Sequence, residues 1–311
     1  MSEKRIVLLC ATNRGYLFLK KLLELTSNEK IDVFSFREEA WEPPFFEKIK
    51  SLSEKHDVRV FEAKNVASSK WESYWKQTDI ELMLVVSWRY LIPKNIFSIP
   101  KKATVVFHDS LLPRYRGFSP TVWAMINGEN KTGVTLFEIA EDVDSGPIID
   151  QITITIGQND SIYDVMQQVT NTYLELLERN YAGLLAGTCP KKEQNHKEAT
   201  FTCKRLPEDN FIDWNQSTKD IHNLVRATSI PYTGAYTTLN GNKLIIWSGC
   251  PVTERRYVGR IPGRIVDIRR GVGCVVLTGD GAFLIKQVQQ VDNAICSAEK
   301  ILTRLSYTLG K

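Results

Sequence analysis

The sequence predicts an α/β fold: a mostly parallel, Rossmann-like sheet with helices on both faces, followed by a small antiparallel, OB-like β-barrel. Three observations lead there. In the first half, short apolar runs alternate with helical patterns, and strands separated by helices require the crossover connections of a parallel sheet. Beyond residue 200 the texture changes to short strand-like runs with evenly spaced turn signals, the pattern of a small antiparallel barrel. The chain has 311 residues, enough for two domains and a sizeable core.

The elements follow in order. Residues 5–11 read as a first buried strand. Residues 15–25 read as a helix, with Leu17, Leu19, Leu22, Leu23 and Leu25 along it. Strands at 31–36, 58–63, 82–87 and 103–107 complete a set of five, separated by helices at 45–55 and 71–78. Strands at 133–140 and 148–156 flank an acidic turn, Asp142-Val143-Asp144-Ser145-Gly146-Pro147. Asp160 is the expected N-cap of a long helix over 161–185. Ile162, Val165, Val169, Tyr173, Leu176 and Leu177 recur at helical spacing there, a stripe that reads as core. Residues 187–200 are polar and lysine-rich and read as a linker. A helix at 217–228 follows, then strands at 235–239, 243–247, 264–268, 273–277 and 283–291. Asn240-Gly241 between the first two of these strands is a hairpin signal. The expected division is a catalytic domain at 1–187, a linker at 188–203 and a C-terminal barrel domain at 204–311.

Composition narrows the class. Apolar content of 43% and charged content of 24% fit an ordinary globular protein. No apolar run reaches 18 residues, which argues against a membrane span, and the N-terminal apolar run is too short for a secretory signal. The six cysteines form no Cys-x-x-Cys pair and have no histidine at metal-ligand spacing. The expectation is reduced thiols in a cytoplasmic protein without a metal site. Residues 201–311 carry 15 Lys+Arg and 9 Asp+Glu, a balance of +6, while the remainder carries 25 and 27, a balance of −2. A basic second half suits a phosphate-bearing partner, and a solvated mixed-charge surface explains it as well.

The densest information lies in His108-Asp109-Ser110-Leu111-Leu112-Pro113-Arg114-Tyr115-Arg116-Gly117-Phe118-Ser119-Pro120 and the Asp144 turn downstream. Parallel sheets bind ligands at the carboxyl ends of their strands, where His108 and Ser87-Trp88-Arg89 both fall. His108 can donate a hydrogen bond or a proton near neutral pH. Asp144 can hold that imidazole in one tautomer, favour its protonated form or position a water. Such a pair suits acyl-type transfer, in which a carbonyl oxygen gains charge while a nucleophile loses a proton. No Gly-x-Ser-x-Gly elbow occurs, and Cys10 lies inside the first strand, so any transfer is direct to an amine or water. A histidine that merely caps a strand and an aspartate that fixes a turn fit the same two residues.

Residues 80–151 resemble the catalytic domain of enzymes that take a formyl group from N10-formyltetrahydrofolate. The resemblance rests on Ser110-Leu111-Leu112-Pro113, Arg116-Gly117, Pro120, Asn127-Gly128-Glu129, Thr132-Gly133-Val134-Thr135 and Asp144-x-Gly146. Arg205-Leu206-Pro207-Glu208-Asp209, Ile212-Asp213-Trp214, Leu224-Val225-Arg226-Ala227 and Gly234-Ala235-Tyr236 resemble the barrel domain that follows it. That arrangement is the one found in methionyl-tRNA formyltransferase and sugar-nucleotide N-formyltransferases. The resemblance implies that His108 polarises the formyl carbonyl and that Asp144 keeps His108 charged or relays the amine's proton through water. It implies a pteridine cleft lined by Trp88, Arg89, Leu91, Ile92, Ser110, Leu111, Leu112, Pro113, Ile139, Glu141 and Asp142. Trp88 fits core packing equally, and Arg116 fits either a surface cation or a clamp on an anionic group. Arg205 is a second candidate substrate contact.

The family pattern is Asn-x-His, whereas Val106 stands two residues before His108. Valine cannot donate a hydrogen bond, and losing one oxyanion donor typically costs about a hundredfold in rate. Ser110, Thr104, Ser87 or a backbone N–H could supply it. The leading expectation is formyl transfer to a primary amine of a nucleotide-linked amino sugar, a small-molecule partner, with no metal. Lys204-Arg205-Leu206-Pro207-Glu208-Asp209 looks like the sugar-modifying members. Alternatives are formylation of methionyl-tRNA, which the basic second half would serve, a formyl-folate hydrolase, and a folate-binding protein whose site has decayed at Val106. A homo-oligomer is left open.

Overall fold

The computed structural model describes residues 4–40 and 42–311. In chain order the elements are β1 (Arg5–Cys10), α1 (Thr12–Leu25), β2 (Lys30–Ser35), α2 (Phe46–Lys55), β3 (Arg59–Glu62), α3 (Glu72–Gln77), β4 (Ile80–Val86), α4 (Lys94–Phe97) and β5 (Ala103–His108). Then come β6 (Arg116–Gly117), α5 (Pro120–Ile126), β7 (Lys131–Glu138), β8 (Ile148–Thr155), α6 (Ile162–Ala186) and β9 (Phe201–Thr202). The remainder is α7 (Thr218–Thr228), β10 (Ala235–Leu239), β11 (Asn242–Pro251), β12 (Ile265–Arg269), β13 (Gly273–Leu277), β14 (Ala282–Gln290) and β15 (Cys296–Ser297). The chain divides into two compact units, one of residues 1–117, 133–154 and 168–201, the other of residues 118–132, 155–167 and 202–311.

The first unit is built on a seven-stranded sheet of order β3-β2-β1-β4-β5-β7-β8. β1, β2, β3, β4 and β5 are mutually parallel, and β7 pairs antiparallel with β5. β1 and β4 are buried almost end to end, as strands covered on both faces must be. Alternation along the strands separates two cores. Val7, Leu9, Phe34, Met83 and Val85 pack with Trp71, Trp75 and Ile96 on one face. On the other, Phe18 of α1 meets the Phe107 ring edge-on at 4.9 Å, and Tyr173 of α6 stacks on it at 5.4 Å. Burying one such side chain is worth about 1.5–3 kcal/mol, so the sheet is anchored from both sides.

The long helix differs from expectation at its start. Ser161, not Asp160, caps it: Ser161 Oγ accepts from Asp164 N at 3.4 Å, while the Asp160 carboxylate accepts from Gly157 N at 2.8 Å. Asp160 instead closes the preceding turn. Two short helices, α4 and α5, have no counterpart in the periodicity, because four and seven residues hold too few turns to show a stripe. Among the described residues no helix is long and apolar enough to cross a membrane.

The second unit contains an antiparallel sheet of order β10-β11-β14-β13-β12, with β15 on β14. Asn240 and Gly241 turn β10 into β11 at φ 51° and 79°, the left-handed pair a two-residue hairpin needs. Ser217 caps α7 by accepting from Asp220 N, and Ile221 and Val225 join Trp214, Ile246, Phe283 and Ile285 in the core. Arg226 is 9% exposed and donates to the carbonyls of Gly157 and Asp160, both at 3.1 Å.

Candidate active site

His108 ends β5 at the carboxyl edge of the parallel sheet. Two residues earlier, Val106 lies in register between Val85 of β4 and Phe137 of β7 and packs against the core that contains Val85. Alternation puts His108 on the Val106 side and Asp109 on the Phe107 side. Asp109 there receives Arg14 Nη1 on both oxygens, at 2.9 and 3.0 Å, and the Tyr173 hydroxyl. Tyr173 Oη also donates to Phe107 O at 2.8 Å, and Arg14 lies over the Tyr173 ring at 4.5 Å. Burial, with the Asp109 carboxylate beside it, pushes the Tyr173 phenol well above its ordinary range, so it stays a donor. The peptide units on both sides of His108 are thereby fixed.

The imidazole is about nine-tenths buried, with a hydrogen-bond partner at Nε2 and a carboxylate facing Nδ1. Nε2 lies 2.9 Å from the Tyr115 carbonyl, and a carbonyl only accepts, so Nε2 carries the proton. Nδ1 faces Asp144 Oδ2 at 3.6 Å, too long for a direct hydrogen bond. Asp144 Oδ2 is itself fixed by Gly117 N at 2.8 Å. Thr12, Ser87, Tyr115, Ser119 and Asp144 all adopt positive φ, between 49° and 66°. Ser87, Tyr115 and Asp144 belong to the segments that carry or flank the pair, and such backbone gathers where a site demands it. Gly146 meets a further demand: a Cβ there would lie 1.8 Å from Glu138 O.

The other sequence-named residues fall as follows. Trp88 packs edge-on to Phe36 and Tyr90, and its buried Nε1 has no partner among the described residues. Arg89 pairs with Glu42 and lies over Phe36, Leu91 is 87% exposed, and Ile92 packs against the core. Ser110 Oγ donates to Arg114 O at 2.7 Å. Leu111 lies against Gly133, Leu112 N donates to Thr135 Oγ1 at 3.1 Å, and Pro113 O accepts from Thr200 N at 3.3 Å. Ile139 N donates to Thr104 O at 2.9 Å, Glu141 pairs with Lys94, and Asp142 O accepts from Ser145 Oγ at 2.8 Å. Arg116 is 4% exposed, bonded to Gln194 and His196, and burial lowers its pKa even with Asp144 nearby. Arg205 belongs to the second unit, where it donates to Asn210 Oδ1 at 2.7 Å and stacks over Trp123 at 4.9 Å.

The structure thus brings His108, Asp144, Arg116 and the 110–113 turn together in one unit. Sequence reasoning missed the Tyr115 carbonyl, the Arg14–Asp109–Tyr173 network and Gln194. A backbone acceptor leaves no trace in residue type. The carboxylate of Asp109, adjoining His108, was the one available signal.

Residues 11–179 match the family described as Formyl transferase, and residues 205–306 match Formyl transferase, C-terminal domain. The chain is 32% identical over 253 residues to the bifunctional polymyxin resistance protein ArnA of Wigglesworthia glossinidia brevipalpis, covering 81% of this chain and 38% of ArnA. It therefore spans well under half of that relative. HypX from Aquifex aeolicus, in complex with tetrahydrofolic acid, shares the fold at TM-score 0.63 and 19% identity, over 97% of this chain and 47% of HypX. WlaRD, a sugar 3N-formyl transferase solved in the presence of dTDP and 5-N-formyl-THF, does so at TM-score 0.67 and 17% identity, over 94% of this chain and 100% of WlaRD.

Proposed function

This chain belongs to the formyl transferase family, and from that premise we propose that it moves a formyl group from N10-formyltetrahydrofolate to a primary amine of a nucleotide-linked amino sugar. The observation that carries the reading is the His108–Asp144 pair at the carboxyl edge of the sheet. His108, once its Nε2–H leaves the Tyr115 carbonyl that it bonds in this structure, is the donor for the formyl oxygen as it gains charge. Asp144 accepts the proton that the amine loses as its nitrogen bonds to the formyl carbon, and that proton passes to N10 of the donor as its carbon–nitrogen bond breaks, which releases tetrahydrofolate. The residues fit a flat heterocycle with polar edges. The buried Trp88 N–H, without a partner among the described residues, and the exposed Leu91 side chain lie in one loop after β4. The folate supplies the activated one-carbon group. The domain division that accompanies this reading is a catalytic part over 1–187 and a C-terminal part over 204–311, joined by 188–203. Support for a sugar acceptor comes from the match to the whole length of WlaRD.

The test is purified protein with N10-formyltetrahydrofolate and a panel of nucleotide-linked amino sugars, with methionyl-tRNA as the competing arm. Formylation of a sugar is expected. His108→Ala and Asp144→Ala should each lower turnover by about a hundredfold or more with the fold kept. Formylation of tRNA and no sugar overturns the acceptor, and unchanged turnover in either variant overturns the pair.

A further inference from the structure

We propose that Gln194 is a positioning residue that sets Asp144 against His108; the inference rests on the formyl-transfer reading above for its kinetic arm only. Gln194 lies in the polar stretch after α6, yet it is 5% exposed. Its Nε2 donates to the carbonyls of Asp144, at 2.9 Å, and Gly146, at 2.7 Å. Its Oε1 accepts from Arg116 Nη2 at 2.6 Å and Nε at 3.2 Å. Both donor hydrogens and the amide oxygen are engaged, so the side chain is satisfied in one orientation.

The partners give the clamp its meaning. Arg116 is flanked by Tyr115, whose carbonyl accepts a hydrogen bond from His108 Nε2, and by Gly117, whose N–H holds Asp144 Oδ2. One amide therefore ties the main chain of the Asp144 turn to the segment that orients the histidine. Thr200 secures that segment from the same strap. Its Oγ1 accepts from Tyr115 N at 2.8 Å, and its carbonyl accepts from Arg116 N at 2.8 Å. Upstream, Lys192 and Ile148 exchange two backbone bonds of 2.8 Å, which fixes the strap beside the strand that leaves the turn. The hydrogen bonds of Gln194 go to neither the imidazole nor the Asp144 carboxylate. It acts through the Asp144 backbone, and displacements of about 1 Å in such a pair can cost about a hundredfold in rate.

The test uses the full chain with Gln194→Glu, Gln194→Met and Gln194→Ala. Gln194→Glu keeps the acceptor for Arg116 and turns the two donors into an oxygen that faces two carbonyls. In folded variants the expected result is a kcat about tenfold to a hundredfold lower, with KM for the folate within about twofold. The His108 imidazole 15N signals, recorded without substrate at fixed pH, should move, Nδ1 most. Wild-type imidazole signals and kcat in a folded variant overturn the proposal. So does loss of the fold in all three, which makes Gln194 a structural residue. If the wild type formylates no acceptor, the functional reading fails while the imidazole signals still decide the positioning role.

Discussion

At the scale of single residues, Val106 poses the sharpest question. Of the three hydroxyls that could replace the missing amide donor, Thr104 Oγ1 donates to Phe97 O at 2.7 Å and Ser110 Oγ to Arg114 O at 2.7 Å. Ser87 follows Val86, which is in register with Phe107, and so stands beside His108 at the end of the neighbouring strand, with φ 53°. On the proposed reaction, Ser87→Ala should lower turnover by about a hundredfold. Adding Val106→Asn to that variant should recover part of the loss. Steady-state rates on the best acceptor check both, and an undiminished rate in Ser87→Ala removes Ser87 from the reaction. His108 and Asp144 were legible because two marked turns frame them. Gln194 was not, since a glutamine among lysines has the same composition whether it faces solvent or satisfies two carbonyls and an arginine.

At the scale of elements, α7 makes the second unit sensitive to acid. Burial, followed by the nearby Arg226 cation, holds His222 below the ordinary histidine range, although its bond to the Gln158 carbonyl at 3.2 Å opposes this. A folded-state pKa below the unfolded one means that the unfolded chain takes up a proton the fold refuses. That contribution to stability is present above about pH 6.5 and is lost as the pH falls through the folded value. The melting temperature should drop between about pH 7 and pH 5, and the slope should be shallower in His222→Gln. An equal slope in the two proteins discards His222 as the source. The strands of both sheets other than the two-residue β15 were legible from their runs of apolar residues, and α6 and α7 from their stripes. The extra contribution of Ser161 was hidden because Asp160 and Ser161 are both good caps, and only the turn geometry at Gly157 chooses between them.

At the scale of the whole molecule, the thiols report on packing. All six cysteines are free. Burial pushes the Cys274 thiol up to about 12 and Cys10 higher still, while Cys203 is exposed. A reductant should leave the melting temperature unchanged, and a maleimide should label Cys203 first and Cys10 and Cys274 last, as peptide mapping over time would show. Early modification of Cys10 would contradict its packing. The strap has a consequence of another kind, in the order of synthesis. His108 and Asp144 leave the ribosome long before Gln194 and Thr200, and at about 5–20 residues per second the delay between His108 and Thr200 is on the order of ten seconds. Between Asp144 and Gln194 the nascent chain carries both members of the pair and lacks the bonds that the strap supplies. A chain ended at residue 187 stays in that state.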